Sequence, residues 1–266
     1  MTNEAFRNAM KPIADGLFGK QRAVKYERPH FDVRPVELML EDLAEIEPLE
    51  WYRYAFSREP LNGKFTDGQR KDWMEKSLAC GREYARKVCS QYHTKDPKAL
   101  AKAMGMEVSY PEFPEKTDRV LFAEYRVPNR ICIYMDALKK AKRLLERPEV
   151  SKVLTEGLDI GRLLLSHELF HCVEERHKSE IFTQTEKVRL WKLGFLHNDS
   201  IVIALSEIGA MGFAQELMGI DYSPYLMNVF LVYGYSPEEA SGLYEEMMEF
   251  AGKTPRLSDP EASIIL

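Results

Sequence analysis

Near the middle of a predicted helix over 149–176 lies the run Leu163-Leu164-Leu165-Ser166-His167-Glu168-Leu169-Phe170-His171, which contains the motif H-E-x-x-H. At about 100° per residue, His167 and His171 lie about 40° apart on one helix face, one turn from each other. Glu168 lies about 60° further round from His171, within reach of a water on an ion that both imidazoles bind. The motif therefore predicts a metal site with an adjacent base.

The apolar residues around the motif favour a bound cation. Burying an uncompensated imidazole or carboxylate costs roughly several kcal/mol, so a buried pair of histidines is expected to have a partner. A metal ion is the partner that the spacing favours. The alternative is a coincidental motif in a helical scaffold, with both histidines satisfied in the core.

A third metal ligand is expected downstream, because catalytic zinc usually takes three protein ligands and leaves a fourth position to water. Glu207 is the candidate, in a predicted helix over 199–218 that begins at Asp199 or Ser200. Small residues on this helix allow another helix to approach closely. They are Ala204, Gly209, Ala210, Gly212 and Ala214. The alternative is an ordinary surface glutamate on an amphipathic helix.

The remaining elements predict an α+β fold, with a small sheet among helices. The predicted strands cover 106–110, 119–126 and 130–134, and the last two could form a hairpin whose edge pairs with an extended substrate. The predicted helices are 69–92, 96–105, 136–146, 149–176, 199–218 and 236–251. The segments 177–198 and 219–236 are interpreted as connections.

Three segments are predicted along the chain of 266 residues. Residues 1–68 form an N-terminal extension that packs on the core, 69–220 form the domain that carries the motif, and 221–266 form a C-terminal helical extension. The predicted last helix has a good N-cap in Ser236, with Pro237 at its first turn.

Composition excludes several classes of protein. The chain is 45% hydrophobic and 30% charged, which argues against disorder, and its net charge of −5 gives no net attraction to nucleic acid or anionic membranes. The N-terminus has no apolar run of secretory length, and no stretch suits a membrane span, so a cytoplasmic protein is predicted. The four cysteines lack C-x-x-C spacing, which favours reduced thiols.

A second pattern, E-x-x-A-x-x-F-A-x-E-L, begins 36 residues after His171. Together with H-E-x-x-H, it resembles the ImmA/IrrE family of metallopeptidases, a gluzincin-type group. The resemblance spans roughly residues 70–220. It implies a zincin-like domain with one Zn²⁺ per chain, bound by His167, His171 and Glu207, and with Glu168 as the catalytic glutamate.

One position departs from the family pattern. The family often has Asp or Asn four residues after the ligand glutamate, where it can orient a zinc-bound imidazole, but this chain has Met211. Glu174, Glu175 and Gln215 are the candidates to replace that acceptor. Without a replacement, metal affinity and activity would fall roughly 10–100-fold.

The leading functional hypothesis is zinc-dependent hydrolysis of a peptide bond, with Glu168 as the base. The resemblance implies a protein or peptide substrate, such as a helix-turn-helix repressor. The net charge and the lack of a fused DNA-binding helix pair predict no direct binding of nucleic acid, and no membrane binding is expected. No residue is singled out to stabilise the oxyanion, although several side chains lie near the motifs in sequence. They are His177, His197, Tyr222 and Tyr225. The alternative function is a catalytically weak or inactive zinc-binding interaction module.

Overall fold

The computed structural model describes residues 30–114, 120–193 and 196–256. Within these ranges the fold is α+β, with eleven helices, a three-stranded sheet and a separate two-stranded sheet. The predicted fold class is therefore confirmed. Parts of the predicted terminal extensions (1–29 and 257–266) and residue 119 of a predicted strand lie outside the described residues.

Most of the predicted helices are present, several of them with the caps that the sequence shows. At four helix N-termini a side chain accepts a hydrogen bond from a backbone N–H, and these side chains are Thr66, Asp96, Asp159 and Ser236. Thr66 forms a capping box with Gln69. The helices are α1 Val36–Ala44, α2 Tyr52–Ala55, α3 Asp67–Tyr92, α4 Pro97–Ala103, α5 Met135–Leu145, α6 Pro148–Val153, α7 Ile160–Arg176, α8 Phe182–Thr185, α9 Ile203–Met218, α10 Leu226–Tyr233 and α11 Pro237–Ala251. Among the described residues, no helix combines the length and the apolar character needed to cross a membrane.

The larger sheet contains β1 Glu107–Ser109, β2 Ala123–Arg126 and β3 Arg130–Ile133, in the order β1-β3-β2. β3 pairs in parallel with β1 and antiparallel with β2, so the predicted hairpin is confirmed. β3 is the central strand, and β2 has one edge without a strand partner among the described residues.

Helix α9 packs closely against both α3 and α7, because glycines remove the side chains that would separate them. A Cβ on Gly81 of α3 would lie 2.0 Å from the Gly209 carbonyl oxygen, and one on Gly212 would lie 2.6 Å from the Leu78 carbonyl oxygen. A Cβ on Gly209 would lie 2.6 Å from Cζ of Phe170 on α7. The close approach expected of Gly209 and Gly212 is therefore present.

The segments on either side of the predicted central domain pack together around aromatic rings. Trp51 and Tyr225 are stacked with their ring centroids 5.5 Å apart. The guanidinium of Arg58 pairs with the Glu246 carboxylate through two hydrogen bonds of 2.7 and 2.5 Å. Helices α1 and α2 thus pack against α10 and α11 in the larger core cluster.

The segment predicted as a helix from residue 199 begins instead as a strand. β4 Lys187–Leu193 and β5 Leu196–Ile201 form an antiparallel pair, called the ribbon below. Asp199 bonds Arg189 across the ribbon, with Nε donating at 2.7 Å, and does not cap a helix. The prediction of a connection over 177–198 and of a helix start at 199 or 200 was therefore wrong.

The true start of α9 is capped from a distant part of the chain. The Ala204 backbone N–H donates to the Glu59 carboxylate at 3.0 Å, and Glu59 is only 7% exposed. A carboxylate at a helix N-terminus satisfies a free N–H and interacts favourably with the helix dipole. Local sequence signals could not identify this cap.

Two other predicted bounds differ. The helix predicted over 149–176 is two helices, α6 and α7, because Gly157 adopts φ +72° and Asp159 caps the second. The connection predicted over 219–236 contains α10. Both differences leave the H-E-x-x-H motif within one continuous helix.

Candidate metal centre

Three side chains converge where α7 faces α9. The Nε2 atoms of His167 and His171 lie 3.3 Å apart. Glu207 Oε2 lies 3.4 Å from Nε2 of His167, and its Oε1 lies 3.8 Å from Nε2 of His171. The structure therefore brings together the three residues that the sequence predicts as metal ligands.

The spacing of these atoms fits a zinc ion. Zinc bonds of about 2.0–2.2 Å in tetrahedral geometry place neighbouring ligand atoms about 3.4 Å apart. The three distances here run from 3.3 to 3.8 Å. Calcium and magnesium take mainly oxygen ligands, so a set with two imidazoles favours zinc among these ions.

The hydrogen bonds around His171 assign its proton to Nδ1. Ser206 Oγ lies 3.2 Å from that nitrogen and donates its own hydrogen to Glu174 at 2.6 Å, so it can only accept from His171. Thr183 donates to the other Glu174 oxygen at 2.5 Å. Nε2 of His171 is thus left with a lone pair that faces the other two ligands. In that state the two imidazole nitrogens and the Glu207 carboxylate together could hold a cation, whether a proton or a metal ion.

Ser206, held by Glu174, provides the acceptor that Met211 cannot. Oε2 of Glu174 lies 3.8 Å from Nδ1 of His171 and is bridged to it by Ser206. Glu175 instead pairs with a lysine on the exposed side of α7, and Gln215 bonds an arginine of α3. Met211 lines the cleft beside the metal ligands.

The electrostatics of the cluster also favour a positive charge at its centre. Burial would raise the pKa of Glu207, but the two neighbouring imidazoles outweigh it and lower that pKa to about 2. Burial would lower the pKa of His171, but the carboxylates of Glu174, Glu207 and Glu168 raise it to about 9. The carboxylates thus stabilise a cation, whether proton or metal, among the ligands.

Glu168 lies beside the cluster and is only 9% exposed. Burial raises the pKa of Glu168, and the negative charge of Glu207 raises it further, whereas the two imidazoles lower it. The Tyr125 backbone also hydrogen-bonds the Glu168 carboxylate. A buried carboxylate at this position can accept a proton from a neighbouring water and return it.

A cleft of about 330 Å³ opens onto these residues. Its walls come from α7, α9 and the segment of β2, and also from α2 and the region of α10. The residues from these last two helices and from the turns beside them are Tyr54, Ala55, Arg58, Pro224, Tyr225, Met227, Asn228 and Leu231. All three predicted segments of the chain therefore contribute to the cleft.

The Tyr225 side chain forms part of the cleft wall. Its hydroxyl is buried and unpaired within the described residues. Burial, together with the Glu207 charge, raises its pKa well above the usual value, so it stays protonated. The other three side chains named near the motifs, His177, His197 and Tyr222, do not line this cleft.

Sequence signals for the supporting residues differ in strength. Glu174 follows His171 by three positions and so carries a helical spacing signal, whereas the contact of Ser206 with His171 joins two helices and carries none. Tyr225 carries none, because its place depends on tertiary packing. Comparison with protein-family models, curated proteins and solved structures returned no match. The resemblance to the ImmA/IrrE family stays a prediction.

Proposed function

We propose that the protein is a zinc-dependent peptidase that hydrolyses a peptide bond in a protein or peptide. The observation that carries the proposal is the convergence of His167, His171 and Glu207 beside the buried carboxylate of Glu168, at the wall of an open cleft. When bound by the three ligands, zinc supplies Lewis acidity toward the scissile carbonyl and the water.

Glu168 performs the proton transfers. Its carboxylate takes a proton from the attacking water as the new C–O bond forms, and returns that proton to the amine as the C–N bond breaks. The position of this buried carboxylate beside the ligand cluster supports both steps, because the base must lie within hydrogen-bond reach of the reacting groups.

The edge of β2 holds the substrate chain. β2 has an edge without a strand partner among the described residues, and the Tyr125 backbone in this strand contacts Glu168. An extended peptide that pairs with this edge lies beside the base. β3 is central in the sheet, so of the two strands expected to present an edge, β2 is the one available.

Tyr225 donates to the oxyanion that develops on the substrate carbonyl. Its buried, unpaired hydroxyl in the cleft wall supports this role, because a donor fixed in advance costs no reorganisation in the transition state. The substrate class is the one implied by the family resemblance, a regulatory protein such as a helix-turn-helix repressor, with no direct contact to nucleic acid.

The test compares the wild-type chain with Glu168→Gln on a complex peptide library. We expect one zinc per chain in both proteins by elemental analysis, and cleavage reduced about 10²–10⁴-fold in the variant. Glu175→Gln, an exposed position on the same helix, is the matched control and should cleave normally.

Each other outcome identifies a competing function. Zinc in both proteins with no cleavage by the wild type, even of candidate repressors, favours a zinc-binding interaction module. Protein without zinc, whose stability is indifferent to chelators, favours a helical scaffold. Unchanged cleavage by Glu168→Gln removes Glu168 from the mechanism.

A further inference from the structure

The ribbon presents a large exposed apolar surface. Trp191, Leu193 and Leu196 are 51%, 75% and 53% exposed. Leu193 pairs with Leu196, and Trp191, which pairs with Asn198, lies two residues before Leu193. Residues opposite each other in a ladder share a face, and so do residues two apart along a strand. All three apolar side chains therefore lie on one face of the ribbon. Val188 lies on the same face and packs against the core. The apolar face therefore continues outward from the core.

The opposite face of the ribbon is basic. It carries Lys187, Arg189, Lys192 and His197, with Asp199 as its acidic residue and Ile201 as an exposed apolar residue opposite Lys187. Arg189 and His197 both lie near Asp199, whereas the two lysines have no ion pair among the described residues. This face thus has a local positive charge on a chain whose net charge is −5.

The ribbon also has open edges. Among the described residues, β4 has β5 as its sole strand partner, so the outer edge of β4 can pair with another strand. The register of the ribbon shifts between Arg189 and Trp191, and beyond that bulge a strand added to β4 would direct alternate side chains to the two faces. One set would lie beside Trp191 and Leu193, and the other beside Lys192.

We propose that the ribbon binds an extended segment of a partner protein in which apolar and acidic residues alternate, as a third strand beside β4. The apolar side chains of that segment cover the exposed face, and its carboxylates pair with the lysines. This binding requires neither a metal nor cleavage. β5 of the ribbon leads directly into α9, the helix that carries Glu207.

The test uses the full chain with Glu168→Gln, so that cleavage cannot remove the probe. Three fluorescein-labelled octapeptides are titrated by fluorescence anisotropy: alternating Glu-Val, alternating Lys-Val, and a block of Glu followed by a block of Val. We expect saturable binding of the alternating acidic peptide, at least about tenfold tighter than the block peptide, and no binding of the basic one.

Two sets of substitutions locate the binding surface. Trp191→Ser with Leu193→Ser should weaken the acidic peptide at least about tenfold. Lys187→Glu with Lys192→Glu should reverse the preference, so that the Lys-Val peptide binds, a gain that misfolding cannot produce. Val33→Ser, at an exposed apolar residue elsewhere, and Lys98→Glu, at an exposed lysine of α4, are controls that should not change affinity.

Several results would overturn the proposal. Equal affinity for the three peptides, or no effect of either set of substitutions, shows that the ribbon does not select such a strand. A concentration-dependent dimer that Trp191→Ser abolishes identifies a second copy of the chain as the occupant. Tighter binding of a single-stranded oligonucleotide or of anionic lipid vesicles assigns the ribbon to those ligands instead.

Discussion

Ser206 determines which nitrogen of His171 faces the other two ligands. Its hydroxyl can accept from Nδ1 of His171 only while it donates to Glu174. We predict that Ser206→Ala weakens zinc binding about 10–100-fold, because the imidazole loses the partner that fixes its tautomer and orientation. Competition with a zinc-chelating dye measures this change. Ser151→Ala, at an exposed serine on α6, is the control, and equal zinc affinities of all three proteins would contradict the role.

Tyr225 and Tyr222 offer a matched pair of buried phenols. The Tyr222 hydroxyl accepts a long hydrogen bond from the Thr155 backbone, whereas that of Tyr225 has no partner within the described residues. We predict that Tyr225→Phe lowers kcat about 10²–10³-fold with little change in KM, because the donor acts in the transition state. Steady-state kinetics on a cleaved peptide checks this. An equal loss in Tyr222→Phe would point to packing instead.

Among single residues, the sequence predicts those whose spacing along one helix indicates a shared role. His167, Glu168 and His171 fall on one stretch of helix, so geometry along the helix predicts their relation. Glu207 needed one added assumption, that a zinc site takes a third ligand from another helix. Tyr225 could not be predicted, because it reaches the cleft through the packing of α10 against α2 and not through any local pattern.

Helix α9 holds Glu207 in place through its close contact with α3. An added Cβ at Gly212 would lie 2.6 Å from a backbone oxygen of α3, and backbone cannot move aside as a side chain does. We predict that Gly212→Ala lowers the free energy of unfolding by about 1–3 kcal/mol and weakens zinc binding, since the helices must separate. Urea unfolding and zinc titration measure the two effects.

A glycine in open space provides the control for this substitution. The nearest atom to an added Cβ at Gly68, in the first turn of α3, is 3.9 Å away. Gly68→Ala should leave zinc affinity unchanged and should not destabilise the protein, because alanine is the better helix former. If both substitutions cost the same, the close helix contact does not hold Glu207 in place.

The start of α9 shows why some element bounds escape sequence reasoning. Asp199 and Ser200 have the composition of a helix N-cap, but pairing with β4 recruits both into a strand. The actual cap, Glu59, is 145 positions from Ala204, and no local pattern links them. The Ser236 cap of α11 could be predicted because it acts on its own helix, whereas Asp159, which caps α7 in the same local way, was included in one longer predicted helix.

At the scale of the molecule, the cleft depends on parts of the chain far from the motif. Arg58 and Tyr54 from the N-terminal segment and Asn228 from α10 line it together with the ligands. The Asn228 amide donates to the Tyr54 hydroxyl at 3.0 Å. The sequence predicted terminal segments around a central domain. It could not predict that they supply a wall of the cleft, because such contacts arise only from tertiary packing.

Metal binding should therefore stabilise the whole fold and not only the site. The ligands come from two helices, and the unfolded chain has no such cluster, so binding free energy adds to folding free energy. At a free zinc concentration about a thousandfold above Kd, the stabilisation is about 4 kcal/mol, and each kcal/mol raises Tm by about 2–4 °C for a domain of this size. Chelation should reverse the shift.

In Glu207→Gln zinc should raise Tm much less, whereas Glu216→Gln, on the same helix and paired with Arg86, should respond like the wild type. If zinc raises Tm equally in all three proteins, the stabilising ion lies elsewhere.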